Sequence, residues 1–193
     1  PRQVGKSTLA DAIIPKDARI LEINGDNTDV QTMFINVDEA KMKVLIGNKN
    51  FLFVDEAQKI ENVGNMLKIV AEKFKDVKII VTGSSAFKLA EAVNESLTGR
   101  KREFRLYPLS FKEMADETST LEESRMIDHR LIYGYYPEVV TSPGDEKEVL
   151  KELIDSYLYK DVMEENNIAK PDKLVKLVQA LAFQIGSDRK STR

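Results

Sequence analysis

The sequence contains no cysteine and no tryptophan, and it has a single histidine among its 193 residues. Without cysteine there are no disulfides, no thiolate metal sites and no cysteine nucleophile, as is typical of proteins from a reducing compartment. His129 alone cannot build a metal site, so we expect it to be structural or solvated. No apolar run reaches the roughly 18–20 residues of a membrane span, and no signal peptide is visible. We therefore expect a cytoplasmic protein without a membrane partner.

An excess of charge of one sign is also missing, because the net charge is only −3. Such a balance gives no general reason to expect nucleic acid on this chain. The hydrophobic content of 42% and the charged content of 32% are those of an ordinary soluble protein. The length is sufficient for one or two domains with a substantial core.

The opening stretch PRQVGKST matches the second half of a phosphate-binding P-loop, which is glycine, four free residues and then Gly-Lys-Ser/Thr. Gly5, Lys6 and Ser7 supply the final three positions. The first glycine of the pattern and the buried strand that precedes it would lie before Pro1. We therefore interpret residue 1 as an artificial start of the chain.

A P-loop explains these residue types chemically. Backbone N–H groups around the glycine cradle phosphates, the lysine reaches the β- and γ-phosphates, and the hydroxyl binds Mg²⁺. The N-terminus of the following helix adds its positive dipole. The residues expected to bind the nucleotide are Val4, Gly5, Lys6, Ser7 and Thr8, with Ser7 also a metal ligand. The alternative is an ordinary turn before a helix.

Strands alternate with helices in the first half of the chain. Strands are expected over 18–23, 51–57, 77–85 and 101–108. Helices are expected over 6–14, 63–74 and 86–97, and one or two short helices over 28–46. Ala40, Val44 and Leu45 share one face in the second of these helical segments. This alternation predicts an α/β fold, with a parallel sheet between two layers of helices.

The second half of the chain is expected to be helical. Ser110 with Glu113, and Thr120 with Glu123, have the spacing of capping boxes. A turn-rich connector over 134–145 leads to two amphipathic helices, over 146–165 and 172–185. The boundary near 107–110 divides the chain into an expected core over 1–108 and an all-α region over 109–193.

The apolar run FLFVDEA ends in two carboxylates, Asp55 and Glu56. Ligands bind at the carboxyl ends of strands in open α/β sheets. There Asp55 can hold Mg²⁺ through water, and Glu56 can polarise an attacking water. The alternative is that two acids merely end a strand and begin a helix.

The next predicted strand ends in VTGSS, and a polar side chain there would lie between the loop and the acidic strand. We prefer Ser84 over Thr82 as the residue that orients the water or contacts the γ-phosphate. A helix N-cap at Ser84 or Ser85 is the alternative, and both roles can coexist.

The stretch LTGRKREFR places Arg100 just before the fourth predicted strand. An arginine at this position can project into the site of a neighbouring subunit and stabilise charge on the transferred phosphoryl group. The alternative is a surface basic cluster with the cations of 101–105. Arg125 and Arg130 are weaker candidates for a contact with ATP, and no motif chooses between them.

The motifs PRQVGKST, FLFVDEAQ, VTGSS, LTGR, YPLSF and YGYYPEVV occur in this order. Together they resemble a family of bacterial and archaeal AAA-type ATPases, in which a C-terminal region of uncharacterised function, usually with a winged helix, follows the ATPase core. The resemblance implies ATP, Mg²⁺, self-association through the Arg100 edge and a sheet in the order 5-1-4-3-2 whose first strand lies before residue 1.

Matched to this family, Gly5, Lys6, Ser7 and Thr8 fall on Walker A, and Asp55 and Glu56 on Walker B. Ser84 falls on sensor 1 and Arg100 on the arginine finger. The winged helix would lie beyond residue 193, so nucleic-acid binding is expected only through that region.

Two functions remain open from the sequence. In the first, ATP hydrolysis drives movement of the C-terminal region on a partner. In the second, the protein is a slow ATP/ADP-gated switch or scaffold. The presence of both Glu56 and Arg100 favours the first.

Overall fold

A computed structural model describes residues 2–84, 97, 99–155 and 171–185. The chain divides into two compact units, Pro1–Pro108 and Leu109–Arg193. The first unit contains a parallel sheet in the order β1 (Ile20–Asn24), β2 (Phe51–Asp55) and β3 (Lys78–Val81). Its helices are α1 (Lys6–Ile13), α2 (Thr28–Phe34), α3 (Glu39–Ile46) and α4 (Val63–Lys73). The predicted parallel α/β arrangement is therefore confirmed.

The central strand β2 is buried on both faces. Successive side chains of a strand point to opposite faces. Leu52 and Val54 pack into a cluster with buried residues of α2, α3 and α4. On the other face, Phe51 and Phe53 pack against Ala10 of α1. This burial explains the continuous apolar run in the sequence, and it fixes the direction in which Asp55 leaves the sheet.

The strand predicted over 101–108 is wrong, because residues 101–107 have no regular secondary structure. A strand requires a hydrogen-bonded neighbour, and no described strand pairs with this segment. Phe104, within this segment, is 86% exposed. The observed strands β1, β2 and β3 are neighbours in this order, as strands 2, 3 and 4 are in the implied order 5-1-4-3-2. The places of strands 1 and 5 stay predictions.

The packing face of α3 also differs from expectation. The Asp38 carboxylate caps this helix by accepting from the Lys41 N–H at 2.8 Å. Met42 and Ile46, four residues apart, are the buried side chains, whereas Val44 is 82% exposed. The helix predicted over 86–97 lies almost wholly outside the described residues.

The second unit is helical where it is described. Its helices are α5 (Phe111–Glu117), α6 (Thr120–Arg125), α7 (Ile127–Tyr133), α8 (Pro137–Thr141), α9 (Glu146–Leu153) and α10 (Pro171–Ala182). The short α8 lies in the stretch predicted as a connector, and it begins with Pro137, whose fixed φ suits a first helical position. Residues 156–165 of the predicted long helix lie outside the described part. No helix of the described ranges is both long and apolar enough to cross a bilayer.

One of the two predicted capping boxes is present. The Ser110 hydroxyl accepts from the Glu113 N–H, and the Glu113 carboxylate accepts from the Ser110 N–H at 2.8 Å. The second prediction is wrong by one residue, because Ser119 caps α6 by accepting from the Glu122 N–H at 3.1 Å. That shift leaves Glu123 for a different role.

Glu123 is a buried carboxylate, only 2% exposed, and it is paired with Arg130. The guanidinium Nε lies 3.0 Å from Glu123 Oε1, and its carbon lies 5.6 Å from the centre of the Tyr135 ring. Hydrogen bonding from Arg130 lowers the pKa of Glu123 below its ordinary value despite burial. Arg130 is therefore part of an ion pair inside the helical unit. Without Arg130, the buried charge of Glu123 would lower the stability of this unit.

His129 lies beside this pair. Its Nε2 is 3.3 Å from Glu146 Oε1, and its ring lies 4.7 Å from the ring of Tyr133. These contacts join α7 to the start of α9 and agree with the structural role expected for a lone histidine.

Candidate functional site

The loop before α1 has a backbone suited to an anion. Gln3 and Gly5 have positive φ angles of 53° and 88°, and α1 begins immediately afterwards at Lys6. A left-handed residue followed by a right-handed one points successive N–H groups into one concavity, which is a common anion site. A Cβ added at Gly5 would meet no heavy atom within 4 Å beyond its chain neighbours. Space alone would therefore allow a side chain at Gly5, and the positive φ is what makes glycine the suitable residue.

The first turn of α1 continues this concavity. Lys6, Ser7 and Thr8 occupy the first helical positions, where backbone N–H groups point out of the end of the helix. The Leu9 N–H makes a helical bond to the Gly5 carbonyl at 2.8 Å. Val4 is only 6% exposed, so it anchors the loop. The helix dipole and these amides favour a phosphate at this end of α1.

Asp55 lies at the end of β2 and connects the sheet to this loop. Its Oδ2 accepts from the Ser7 hydroxyl at 2.8 Å. Its Oδ1 accepts from the Glu56 N–H at 3.0 Å and from the Thr82 hydroxyl. One oxygen is thus held by the neighbouring segment, while the other faces the loop.

A hydroxyl and a carboxylate in contact suit Mg²⁺. This ion usually keeps several waters and takes one or two protein oxygens together with phosphate oxygens. Among the described residues, no group of three or more His, Cys, Asp or Glu side chains could hold a metal by itself. The Ser7–Asp55 pair therefore fits a magnesium ion whose other ligands are water and the phosphate oxygens of a nucleotide.

Glu56 has a strained backbone. Its φ of 47° and ψ of 42° are left-handed, a conformation that costs a residue with a side chain about 1–3 kcal/mol. The turn is held by the Ala57 N–H, which donates to the Thr82 carbonyl at 3.0 Å. Such strain is concentrated at functional sites, where it directs a side chain that regular structure would place elsewhere.

The Glu56 carboxylate forms a triangle of contacts with Gln58 and Ser84. Glu56 Oε2 accepts from Gln58 Nε2 at 2.6 Å and from the Ser84 hydroxyl at 3.1 Å. Gln58 Nε2 also donates to Ser84 Oγ at 2.9 Å. Of the two residues weighed after β3, Thr82 therefore contacts Asp55 and Ser84 contacts Glu56.

The P-loop half, the acidic strand end and the polar end of β3 are thus brought to one edge of the sheet. A family model described as an AAA domain matches residues 1–115, more than half of the chain. The chain belongs to this AAA family. A second model, for a domain of unknown function (DUF8612), matches residues 124–193. The family resemblance inferred from the motifs is confirmed, including the uncharacterised C-terminal region.

Two relatives of this AAA protein are described as uncharacterized proteins. One, from Methanocaldococcus jannaschii, is 28% identical over 184 residues, which cover 86% of this chain and 41% of that protein. The other, from Haemophilus influenzae, is 29% identical over 143 residues, which cover 72% of this chain and 36% of that protein. The chain therefore spans about two fifths of the length of these relatives.

Arg100 is bonded to a carboxylate of α4 rather than to those of the candidate site. Its Nη1 bonds to Glu72 Oε1 of α4 at 3.0 Å, and its side chain is 57% exposed. Among the described residues, its guanidinium bonds to neither Asp55 nor Glu56. The structure thus brings together every other predicted metal and catalytic residue, but not this one.

Two residues of the site were missed from the sequence. Gln58 follows Glu56 by two positions in the DEAQ stretch. A polar residue so close to the predicted base was the signal that could have identified it. Gly25 follows β1, and its N–H donates to the Asp55 carbonyl at 2.9 Å. A Cβ at Gly25 would lie 2.3 Å from the Glu56 carbonyl oxygen. Only glycine lets the strained turn at Glu56 approach β1 this closely.

We expect Gly25→Ala to destabilise the AAA domain by about 1–3 kcal/mol, because the collision is with backbone rather than with a flexible side chain. Urea unfolding measures this loss. Asn27→Ala is the control, since Asn27 is exposed and makes no side-chain cap bond to α2. Equal stability of the two variants would show that the close approach is not maintained in solution.

Proposed function

We propose that this AAA domain binds ATP with Mg²⁺ and hydrolyses it, and that hydrolysis moves the C-terminal region on a partner. The observation that carries the proposal is the Ser7 hydroxyl lying 2.8 Å from Asp55 Oδ2, with Glu56 next in the chain. This pairing joins a phosphate loop to an acidic strand end, which is the combination that phosphoryl transfer to water requires.

Binding is assigned to the loop and the first turn of α1. The backbone of Val4–Thr8 would hold the phosphates, and the Lys6 ammonium would neutralise charge on the β- and γ-phosphates. Ser7 would hold Mg²⁺ directly, and Asp55 would hold it through water. Bound Mg²⁺ supplies charge neutralisation at the phosphate oxygens.

Catalysis is assigned to Glu56, Ser84 and Arg100. Glu56 takes a proton from the attacking water, whose oxygen bonds to the γ-phosphorus as the bond to ADP breaks. Ser84 orients the Glu56 carboxylate through its hydroxyl. Arg100 stabilises the transferred phosphoryl group of a neighbouring subunit, so the protein acts as a homo-oligomer through the Arg100 edge.

Three further features complete the proposal. The ATPase core is residues 1–108, and the C-terminal region begins at 109. We place the protein in the cytoplasm. Contact of residues 1–193 with nucleic acid is not part of the proposal, because neither the net charge of −3 nor the site described above favours it.

Glu56→Gln tests the catalytic assignment. The amide keeps the shape of the side chain but cannot accept the proton, so hydrolysis should fall at least about 100-fold. ATP affinity should stay near that of the wild type, since Glu56 is not assigned to binding. Steady-state phosphate release and calorimetry measure the two quantities. Unchanged hydrolysis would remove Glu56 from the mechanism.

Turnover separates hydrolysis-driven movement from a slow switch. A motor should turn over about once per second or faster, as typical enzymes do. A rate far below about one per minute, as in nucleotide switches without an activator, would favour a regulatory role.

A further inference from the structure

We infer that Gln58 is a positioning residue for the proposed hydrolysis, and that it makes Glu56 Oε1 the oxygen that receives the proton of the attacking water. The inference rests on the proposed function and deepens it. Its basis is the triangle of Glu56, Gln58 and Ser84, in which both neighbouring side chains bond to the same carboxylate oxygen, Oε2.

The orientation of the Gln58 amide follows from the chemistry of its neighbours. An ionised carboxylate only accepts hydrogen bonds, so the amide must turn its nitrogen rather than its oxygen towards Glu56. The Ser84 hydroxyl donates its one proton to Glu56 and therefore accepts from the second N–H of Gln58. The 2.6, 2.9 and 3.1 Å contacts are consistent with this single arrangement.

The triangle constrains Glu56 but leaves one of its oxygens available. Within the described residues, Glu56 Oε1 has no hydrogen bond, whereas Oε2 has two. A carboxylate fixed at one oxygen cannot rotate freely about its last torsion, so its second oxygen is held in a definite place. The strained backbone of Glu56 sets the position of the side chain, and Gln58 sets its rotation.

The proton balance is complete with these groups. Water loses one proton to Glu56 Oε1 while its oxygen forms the bond to the γ-phosphorus. The bond between that phosphorus and the bridging oxygen breaks, and ADP leaves with the electron pair. Gln58 neither gains nor loses a proton, so it is not itself a base.

The two carboxylate oxygens of Asp55 also have different partners, which supports this interpretation of Glu56. Its Oδ1 is held by Thr82 and by the Glu56 N–H, and its Oδ2 faces Ser7. In both carboxylates, a hydroxyl from the segment after β3 fixes one oxygen. The second donor to Asp55 is a backbone N–H, whereas the second donor to Glu56 is the side-chain amide of Gln58, which a substitution can remove.

Gln58→Met in the full-length protein tests the inference, because methionine keeps the volume but provides no donor. We expect kcat to fall about 10-fold to 100-fold, the range for losing a hydrogen bond to a charged group. KM and calorimetric ATP affinity should be unchanged, and the melting temperature should stay near that of the wild type. Gln179→Met, on an exposed position of α10, is the matched control and should hydrolyse like the wild type.

The same substitution in the Glu56→Gln protein provides the sharper readout. If Gln58 acts through Glu56, removing it should cause no further loss once the base is gone. Loss of activity in Glu56→Gln combined with normal kcat in Gln58→Met would overturn this inference and leave the proposed function intact. A further loss in the double variant would also overturn it. Normal activity in Glu56→Gln, or no hydrolysis by the wild type, would overturn the proposed catalytic function and this inference with it.

Gln58→Ala tests whether the loss of activity in Gln58→Met comes from the missing donor or from the methionine side chain itself. This variant removes the donor and most of the side chain, so kcat should fall at least as far as in Gln58→Met. Wild-type kcat in a folded Gln58→Ala protein would show that no donor is needed at Glu56 Oε2.

Discussion

Lys6→Ala should abolish measurable ATP binding while leaving the fold intact. Lys6 begins α1 directly after Gly5, where the backbone turns into the helix. The amides of this turn carry only partial charges, whereas the ammonium would be a full charge at the β- and γ-phosphates in the proposed complex. Hydrogen bonds to charged groups contribute about 1.5–3 kcal/mol each, so losing two of them weakens binding at least about 100-fold.

Isothermal calorimetry with ATP and Mg²⁺ measures this loss, and circular dichroism monitors the fold. Lys16→Ala is the matched control, because Lys16 is an exposed lysine just beyond the end of α1. It removes the same charge from the chain without changing the loop. Equal ATP affinity in the Lys6→Ala and Lys16→Ala proteins would contradict the assignment of the P-loop.

The central strand and its acidic end could be predicted from the sequence because their signals are local. Residues 51–54 form a continuous apolar run, and all four side chains are buried between two layers of helices. A strand buried on both faces requires such a run, and its carboxyl end then places Asp55 at the edge of the sheet where open α/β folds bind ligands. The capping box could be predicted for the same reason, because its partners Ser110 and Glu113 are only three residues apart.

The features that sequence reasoning missed depend on parts of the chain that meet only in the folded protein. The 101–108 segment has strand-forming residues, but a strand does not form without a neighbour. Gln58 and Ser84 are 26 positions apart, and their contact requires the turn after β2 to lie against the end of β3. From the sequence we prefer Ser84 over Thr82 for a single role, whereas in the structure Thr82 bonds to Asp55 and Ser84 bonds to Glu56. Contacts between residues so far apart in the chain produce no regular spacing in the sequence from which they could be predicted.

Arg100→Ala should leave ATP binding unchanged and reduce turnover about 1,000-fold, the low end of the effect for an arginine finger. The exposed guanidinium bonds to Glu72 of α4 and, among the described residues, to neither carboxylate of the site. Exposed ion pairs of this kind contribute only about 0–1 kcal/mol. A partner subunit can therefore recruit the side chain at little cost. Arginine suits the task because its planar, permanently charged fork can hold two phosphate oxygens together.

Arg102→Ala is the matched control for this prediction. Arg102 is an exposed arginine two positions away, and its replacement removes the same charge from the same segment. If the effect came from a general basic surface, both variants would lose comparable activity. A role specific to Arg100 leaves the Arg102→Ala protein close to the wild type.

Mixing Arg100→Ala with Glu56→Gln protein tests whether the arginine acts between subunits. Each variant alone should be inactive, because every site lacks either its base or its arginine. In mixed oligomers some interfaces pair an intact Glu56 with an intact Arg100, so part of the activity should return. The experiment requires full-length protein, a native mass measurement that verifies mixed assemblies, and steady-state phosphate release. Verified mixed oligomers without recovered activity, or a strict monomer with full activity, would exclude action across an interface, because in either case no site would depend on the arginine of a neighbour.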